Sequence, residues 1–220
     1  MRLGTAHIRF TGRADGDLGR GDAAGAEVPA DVERRRRVVC PLPWTWLHQV
    51  HSARVVRVTQ GGEHAGAEAD AAVTTEPGAA LAVLTADCAP VALFGAGAVG
   101  VVHAGWRGLV AGVVERAAEE LRALGAVDLV AVLGPCIHAE CYEFGPADLE
   151  RVAQRFGPVV RATTAGGTPA LDLPATVRAA LDVAGVALVA DVNECTACSA
   201  DHWSHRARGE RERQALVAWL

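Results

Sequence analysis

"TADCAPVALFGAGAVGVVHAGWRG", residues 85–108, decides how this chain is read. Two apolar runs, VALF and AVGVV, read as strands joined by a glycine-rich turn. The pair Asp87-Cys88 precedes the first run. The second ends in His103, followed by Trp106-Arg107 between glycines. Buried strands seldom carry such groups at their ends unless those groups have partners.

Outward from this stretch the periodicity alternates between strand and helix. After Gly108 it becomes helical: Val110, Val113, Val114, Ala117, Leu121 and Leu124 share one face, and Gly125 is the expected stop. "VDLVAVLGPCI" is a strand running into a loop. "GPADLERVAQRFG" and "LPATVRAALDVAGV" are helices, the latter with Pro174 in its first turn. "ALVADVNEC" is a late strand and "RERQALVAWL" closes the chain. Upstream, "AHIRFT" and "ARVVRVT" alternate as strands, "DAAVTTEPG" is a short strand turning at Pro77-Gly78, and "AALAVLTADC" is a strand buried on both faces. Residues 12–31 are rich in Gly, Asp and Ala and read as a mobile loop. The arginine run at 34–37 reads as a solvated helix face. No fixed repeat is present. Clustered strands with helices inserted predict a mixed α/β (α+β) fold with mixed sheets and several helices, one compact domain spanning 1–220.

Composition narrows the function. The chain has 220 residues, half of them hydrophobic, and a net charge of -5, so no global basic field supports nucleic-acid binding. All 21 basic residues are arginine, which excludes a Schiff-base or P-loop lysine. The first residues lack the apolar segment of a secretory signal, and the apolar region at 79–102 is too interrupted by Asp87, Pro90 and glycines to span a membrane. A cytoplasmic setting is expected. The six cysteines are then reduced, serving as core fillers, metal ligands or nucleophiles.

Three residues stand at borders between apolar strands and turns: His51 in "QVH", Cys88 in "ADC" and His103 in "VHAG". One thiolate and two imidazoles suit Zn²⁺, and three protein ligands leave a fourth position open, as in catalytic sites. The competing reading is a buried cysteine with satisfied core histidines. Cys136, Cys141, Cys195 and Cys198 would make a structural tetrathiolate site, but the Cys-x4-Cys spacing is a poor knuckle. In "HAGWRG" the glycines permit close backbone approach, and a helix start beside the Arg107 guanidinium favours an anion such as phosphate. Taken alone, Trp106 reads as a core plug rather than a ligand contact. Tyr142, the only tyrosine, lies in a Gly/Pro-bounded loop, where it stacks on a base or caps the core.

"QVHSARV", "ADAAVTTEPGAALAVLTADCAPV", "VGVVHAGWRG", "GPCIHAECYEFG", "ECT" and "WSHRARGERERQALVAWL" together resemble, in order, the motifs of the laccase-domain family. That family's names include multicopper polyphenol oxidase, peptidoglycan editing factor and purine nucleoside phosphorylase. The resemblance runs from about residue 46 to the C-terminus and implies a compact α/β domain with a zinc site. Carried over by motif, the metal ligands are His51, Cys88 and His103. The implied activity is phosphorolysis of adenosine, inosine and methylthioadenosine, with adenosine deamination. The implied partners are a purine nucleoside and phosphate, with no nucleic acid or membrane, in a monomer or small homo-oligomer.

Within this reading Cys88, Asp87 and Arg107 are catalytic candidates, with Asp87 an acid/base group or a residue that orients a ligand. Arg13, Trp106 and Tyr142 are substrate-binding candidates. The segment at 12–37 diverges from the family: "FTGRADGDLG" keeps Arg13, but "ERRRR" stands where Asn-Arg is expected, and "SHRA" puts His205 in place of a tyrosine. Two rival chemistries use the same residues or the family's older name. One is a cysteine hydrolase of cell-wall amide bonds, with Cys88 as nucleophile and His103 as base. The other is a copper-dependent polyphenol oxidase. A multicopper centre needs many histidines and often an axial methionine, whereas this chain has eight histidines, no His-x-His pair and Met1 as its only methionine. A module that keeps the fold without turnover is the non-enzymatic alternative.

Overall fold

Alternating apolar residues in this chain build two six-stranded sheets that share one core, in a computed structural model describing residues 1–3, 5–19 and 27–220. The first half of the chain contributes β1 (Arg2–Leu3), β2 (Ala6–Phe10), α1 (Ala30–Val39), β3 (Trp44–His48), β4 (Val55–Val58), β5 (Ala67–Glu68), β6 (Ala71–Thr74) and β7 (Ala80–Thr85). Next come β8 (Ala89–Gly95), β9 (Ala98–Ala104), α2 (Trp106–Ala111), α3 (Val113–Ala123), β10 (Val130–Leu133) and α4 (Pro146–Phe156). The chain closes with β11 (Arg161–Thr163), β12 (Pro169–Leu171), α5 (Leu173–Ala184), β13 (Ala187–Asp191), α6 (His205–Arg208) and β14 (Gln214–Trp219).

The first sheet runs β1-β2-β14-β7-β3-β5 and the second β13-β10-β8-β9-β6-β4. Both are mixed: β3 pairs parallel with β7, while β7 and β14 are antiparallel. The period-two alternation explains the layering. Leu81 and Val83 of β7, Leu216 and Ala218 of β14, and Val99 and Val101 of β9 all enter the core between the sheets. The intervening residues of β7 and β14 (Ala80, Ala82, Leu84, Ala215 and Val217) face outward beneath Trp44, Trp46 and Val39. Those of β8 and β9, such as Val91, Leu93 and Val102, face α2, α3 and α5 through Leu109, Val113, Leu121 and Val177. Both faces are covered, which is why these strands are continuous apolar runs.

The stretch at 85–108 therefore divides between the two sheets. Its Thr85 ends β7 in the first; β8 and β9 form an antiparallel hairpin in the second, Pro90 facing His103. Residues 86–88 are the crossover.

Two expectations are corrected. The helix expected from 110 begins at Trp106 and is broken at Gly112, whose φ of 91° closes α2 by donating its N–H to the carbonyls of Gly108 and Leu109. The left-handed conformation favours glycine there. The arginine run is not wholly solvated. Arg36 is buried, donates from Nη2 to the Leu18 carbonyl at 2.8 Å and lies over the Trp46 ring at 5.1 Å, while Arg34 and Arg37 are exposed. A guanidinium over an aromatic face is a favourable way to bury that charge. Finally, the segment at 12–37 contains a 3-10 turn at Arg13–Asp15, the fully buried Leu18 and the start of α1; its residues 20–26 lie outside the described residues, so its expected mobility is not addressed for them. Among the described residues no helix is long and apolar enough to cross a membrane.

Gly134, just after β10, touches Phe10 of β2: a Cβ placed there would lie 2.2 Å from Phe10 Cε1 and 2.9 Å from Pro90 Cγ. Gly134→Ala is expected to cost about 1–3 kcal/mol in urea unfolding, the usual penalty of overpacking. In a Phe10→Ala background the same substitution should cost clearly less. Additive losses would show that the ring contact is not the cause.

Candidate metal centre

The centre forms where the chain crosses from one sheet to the other. Cys88 immediately precedes β8 and His103 lies near the end of β9, so the antiparallel pairing of Ala89 with Ala104 sets them side by side. His51 comes from the loop after β3 and has a left-handed backbone, φ 59°. The ligand atoms of His51, Cys88 and His103 all lie within 4.8 Å of one another. Cys88 Sγ is 3.8 Å from His51 Nε2, and the two imidazole rings meet edge-on with centroids 4.8 Å apart.

One carboxylate organises this arrangement. Asp70 directly precedes β6 and is fully buried. It accepts backbone N–H bonds from His51 at 2.9 Å, Ser52 at 2.6 Å and Val50 at 3.3 Å, and the Ser52 hydroxyl at 2.8 Å. Its Oδ1 also lies 2.8 Å from His103 Nδ1. A carboxylate on Nδ1 fixes the ring and leaves Nε2 for a ligand, the usual support of a metal-binding histidine. The backbone of Asp70 contributes too, its carbonyl accepting the His103 N–H at 2.7 Å.

The electrostatics favour a charged pair. Burial opposes ionisation of both Cys88 and His103. The imidazoles of His103 and His51 nevertheless bring the Cys88 thiol down to about 6. The Cys88 thiolate and the Asp70 carboxylate together carry His103 up to about 9. Such a low thiol value marks a cysteine disposed to bind a cation or act as a nucleophile. The donor set of one sulfur and two nitrogens fits Zn²⁺. Gly105 makes room for it: a Cβ there would sit 2.7 Å from His51 Cδ2 and 3.2 Å from Cys88 Sγ.

A cavity of about 430 Å³ opens over the three donors, and its other polar lining includes Gln49, His205 and Arg213. Gln49 itself ties β3 to β7 by exchanging two hydrogen bonds with the backbone of Leu84, each 2.7 Å. A larger cavity of about 590 Å³ lies beside α1, lined by Arg36, Trp44 and Trp46, and holds neither cysteine nor histidine.

The structure thus brings His51, Cys88 and His103 together, whereas Asp87, Arg107, Trp106, Tyr142 and Arg13 do not line the cavity over them. Asp87 is buried with φ 95°, a strained conformation for a non-glycine residue. Its carboxylate accepts from Thr196 Oγ1 at 2.7 Å and from the Arg206 N–H at 2.6 Å, and its carbonyl from the Ile137 N–H at 2.9 Å. Trp106 and Tyr142 pack edge-on against Phe144, with centroids 5.4 and 5.2 Å away. Arg107 lies 4.3 Å over Trp106 and Arg206 4.9 Å over Tyr142. Burial pushes the Tyr142 hydroxyl well up, and the neighbouring Cys88 and Asp87 add to it. Neither aromatic lines the cavity, and nor does Arg13. Arg13 pairs with Glu210, donates to the His202 carbonyl at 3.1 Å and stacks 4.0 Å over Trp203.

Sequence reasoning missed Asp70, Gln49 and Arg213. Asp70 did carry a signal. It is a lone carboxylate flush against "AAVT", a strand buried at every position, and such a charge requires partners. Gln49 and Arg213 carried none, since their roles depend on strands that are distant in sequence.

Residues 16–220 match the family model described as multi-copper polyphenol oxidoreductase laccase. The chain is 40% identical to a purine nucleoside phosphorylase of Streptomyces coelicolor, covering 98% of this chain and 96% of the relative. It is 41% identical to one of Streptomyces griseus, covering 99% and 95%. Among solved structures it resembles a Neisseria meningitidis protein with a TM-score of 0.81 at 30% identity, covering 99% and 95%. YlmD of Geobacillus stearothermophilus superposes with a TM-score of 0.80 at 25% identity, covering 97% and 90%.

Two outcomes follow from these contacts. Asp70→Asn preserves shape but turns an amide donor toward donors, so unfolding stability should fall by about 3–5 kcal/mol, as for other broken buried pairs. An unchanged denaturation midpoint would contradict the role given to this carboxylate. Glu210 is the pH-sensitive tie. Burial would raise its pKa, but the Ser204 N–H, Arg13 and Arg208 hold it below the ordinary range. Its stabilising contribution is therefore present above the unfolded value of about 4.3 and is lost as pH falls through the lower folded value. Stability measured between about pH 5 and about pH 3 should fall more steeply in the wild type than in Glu210→Gln.

Proposed function

The chain belongs to the multi-copper polyphenol oxidoreductase laccase family, and from that premise we propose that it is a zinc-dependent purine nucleoside phosphorylase. Its substrates in this reading are adenosine, inosine and methylthioadenosine, cleaved by phosphate to the free base and the (thio)ribose 1-phosphate. The same site would also deaminate adenosine. The observation that carries the proposal is the three-donor cluster of His51, Cys88 and His103 opening into a cavity of about 430 Å³. That volume suits a nucleoside-sized ligand. The names of the relatives support the substrate class.

When bound, zinc supplies Lewis acidity and positive charge at the floor of the cavity. The residues of the chain do the rest. Asp70 keeps His103 oriented and holds the His51 loop against it. Arg213 presents a permanent cation to the cavity, suited to phosphate oxygens. Arg107 is exposed, lies over Trp106 outside the cavity lining and has no carboxylate partner among the described residues; in this reading it reaches in to a second phosphate oxygen. Trp106 and Tyr142, packed on Phe144 outside the cavity lining, carry Arg107 and Arg206 over their rings and so position those guanidinium groups. Asp87 acts by positioning Cys88 through its own engaged carboxylate, and Arg13 by holding Glu210, which bonds the Ser204 N–H next to His205. Chemistry of the multicopper kind does not fit these donors. Among the described residues the His/Cys/Asp/Glu clusters that could hold a metal contain two histidines at most.

The decisive assay incubates zinc-loaded protein with inosine or adenosine, with and without phosphate. Ribose 1-phosphate and free base should appear only with phosphate, and ammonia from adenosine should not require it. Zinc-replete protein that yields neither sugar phosphate nor ammonia would overturn the proposal. Gly105→Ala is the accompanying variant. It is expected to keep the fold, since its φ of -72° suits alanine, while weakening zinc affinity about 10–100-fold and activity with it.

A further inference from the structure

A second group of soft donors stands outside the centre described above. Cys141 closes a 3-10 turn at Ala139–Cys141, and Cys195 and Cys198 form a Cys-x-x-Cys in the loop between β13 and α6. One ligand atom from each of Glu140, Cys141, Cys195 and Cys198 lies within 4.8 Å of all the others. Cys141 and Cys198 are 3.3 Å apart through their sulfurs, and the Cys198 sulfur lies 3.8 Å from Glu140 Oε1. The His138 N–H donates to Cys195 Sγ at 3.4 Å, orienting that sulfur toward the cluster. Tetrahedral Zn–S bonds of about 2.3 Å place sulfurs about 3.8 Å apart, so small side-chain rotations convert this cluster into a ligand sphere.

The membership differs from what spacing suggests. Cys136 is buried and pairs by backbone bridge with Cys195, yet its sulfur is outside the cluster, and Glu140 stands in its place. The tetrathiolate thus becomes three thiolates and a carboxylate.

We propose that Cys141, Cys195, Cys198 and Glu140 form a second, structural site for a thiophilic divalent cation of the Zn²⁺ class. On binding, each thiol that becomes a ligand releases its proton to solvent, and no redox change is involved. The site clamps two segments together. Thr196 N–H donates to the Cys136 carbonyl at 3.1 Å, and the Cys136 N–H to the Glu194 carbonyl at 3.2 Å. From the same loop Thr196 reaches Asp87, and Arg208 holds the carbonyls of Thr196 and Ala197 at 3.1 and 2.9 Å. The clamp therefore supports the strained Asp87 that delivers Cys88 to the first centre. This inference does not depend on the nucleoside reading.

The test uses the Cys88→Ala protein, which removes the only sulfur of the first centre. Purified under reducing, anaerobic conditions and titrated with Co²⁺, it should still develop thiolate-to-cobalt charge-transfer bands. X-ray absorption of its zinc form should show three sulfur scatterers at about 2.3 Å. Adding Cys198→Ser should abolish the bands and lower zinc content by one ion per chain. The loop at 192–204 should then become more sensitive to limited proteolysis. Should that double variant not fold, Glu140→Gln in the Cys88→Ala background serves instead, and should keep the bands but weaken the affinity. Absence of charge-transfer bands in Cys88→Ala, a single sulfur in the absorption spectrum, or a Cys141–Cys198 disulfide in protein prepared without oxidant would each overturn the second site.

Discussion

Everything around the first centre depends on the buried Asp70 carboxylate. It has no solvent to satisfy it, so it must be met by donors from the protein. It meets the N–H groups of the 50–52 loop on one side and the His103 ring on the other. A single charge therefore couples a loop that follows the first sheet to a strand in the middle of the second. Its oxygens hold the left-handed His51 beside Cys88 and fix the His103 ring through Nδ1.

A second constraint is the crossover itself. The chain leaves β7 in one sheet and enters β8 in the other within three residues. So abrupt a passage is accommodated by the positive φ of Asp87. Thr196, Arg206 and Ile137 hold that conformation through hydrogen bonds from the C-terminal half of the chain. Strain at this point is thus part of how Cys88 is aimed. Small residues complete the geometry, since side chains at Gly105 or Gly134 would collide with His51 or with Phe10. The three-donor cluster is a consequence of two sheets being brought close, not of any one loop.

Much of this was legible in residue order. The strands of the opening stretch, the helices over "GPADLERVAQRFG" and "LPATVRAALDVAGV", and the mixed sheet class follow from periodicity and from Pro174 in a first turn. Strand-border positions, where an unpaired polar group would be costly, only suggested His51, Cys88 and His103; the resemblance of their motifs to the family singled them out, and the fold does bring the three side chains together. The break at Gly112 was less so, because Val110 and Val113 continue the apolar spacing across it. Arg36 misled for a related reason. A run of arginines looks uniformly solvated, and only the packing of Trp44 and Trp46 beneath α1 reveals which one is buried.

The sequence by itself determined the element types, the apolar faces and the identity of the soft donors, since these are set by local period and by side-chain chemistry. Tertiary structure alone decided which donors share a site. It joined His51 to Cys88 and His103 through Asp70, drew Arg213 and His205 to the same cavity, and exchanged Cys136 for Glu140 in the cysteine cluster. The physical reason is that a ligand sphere is fixed by distances of a few ångströms between residues dozens to scores of positions apart. Those distances are set by sheet register and by buried hydrogen bonds, which the order of residues does not display.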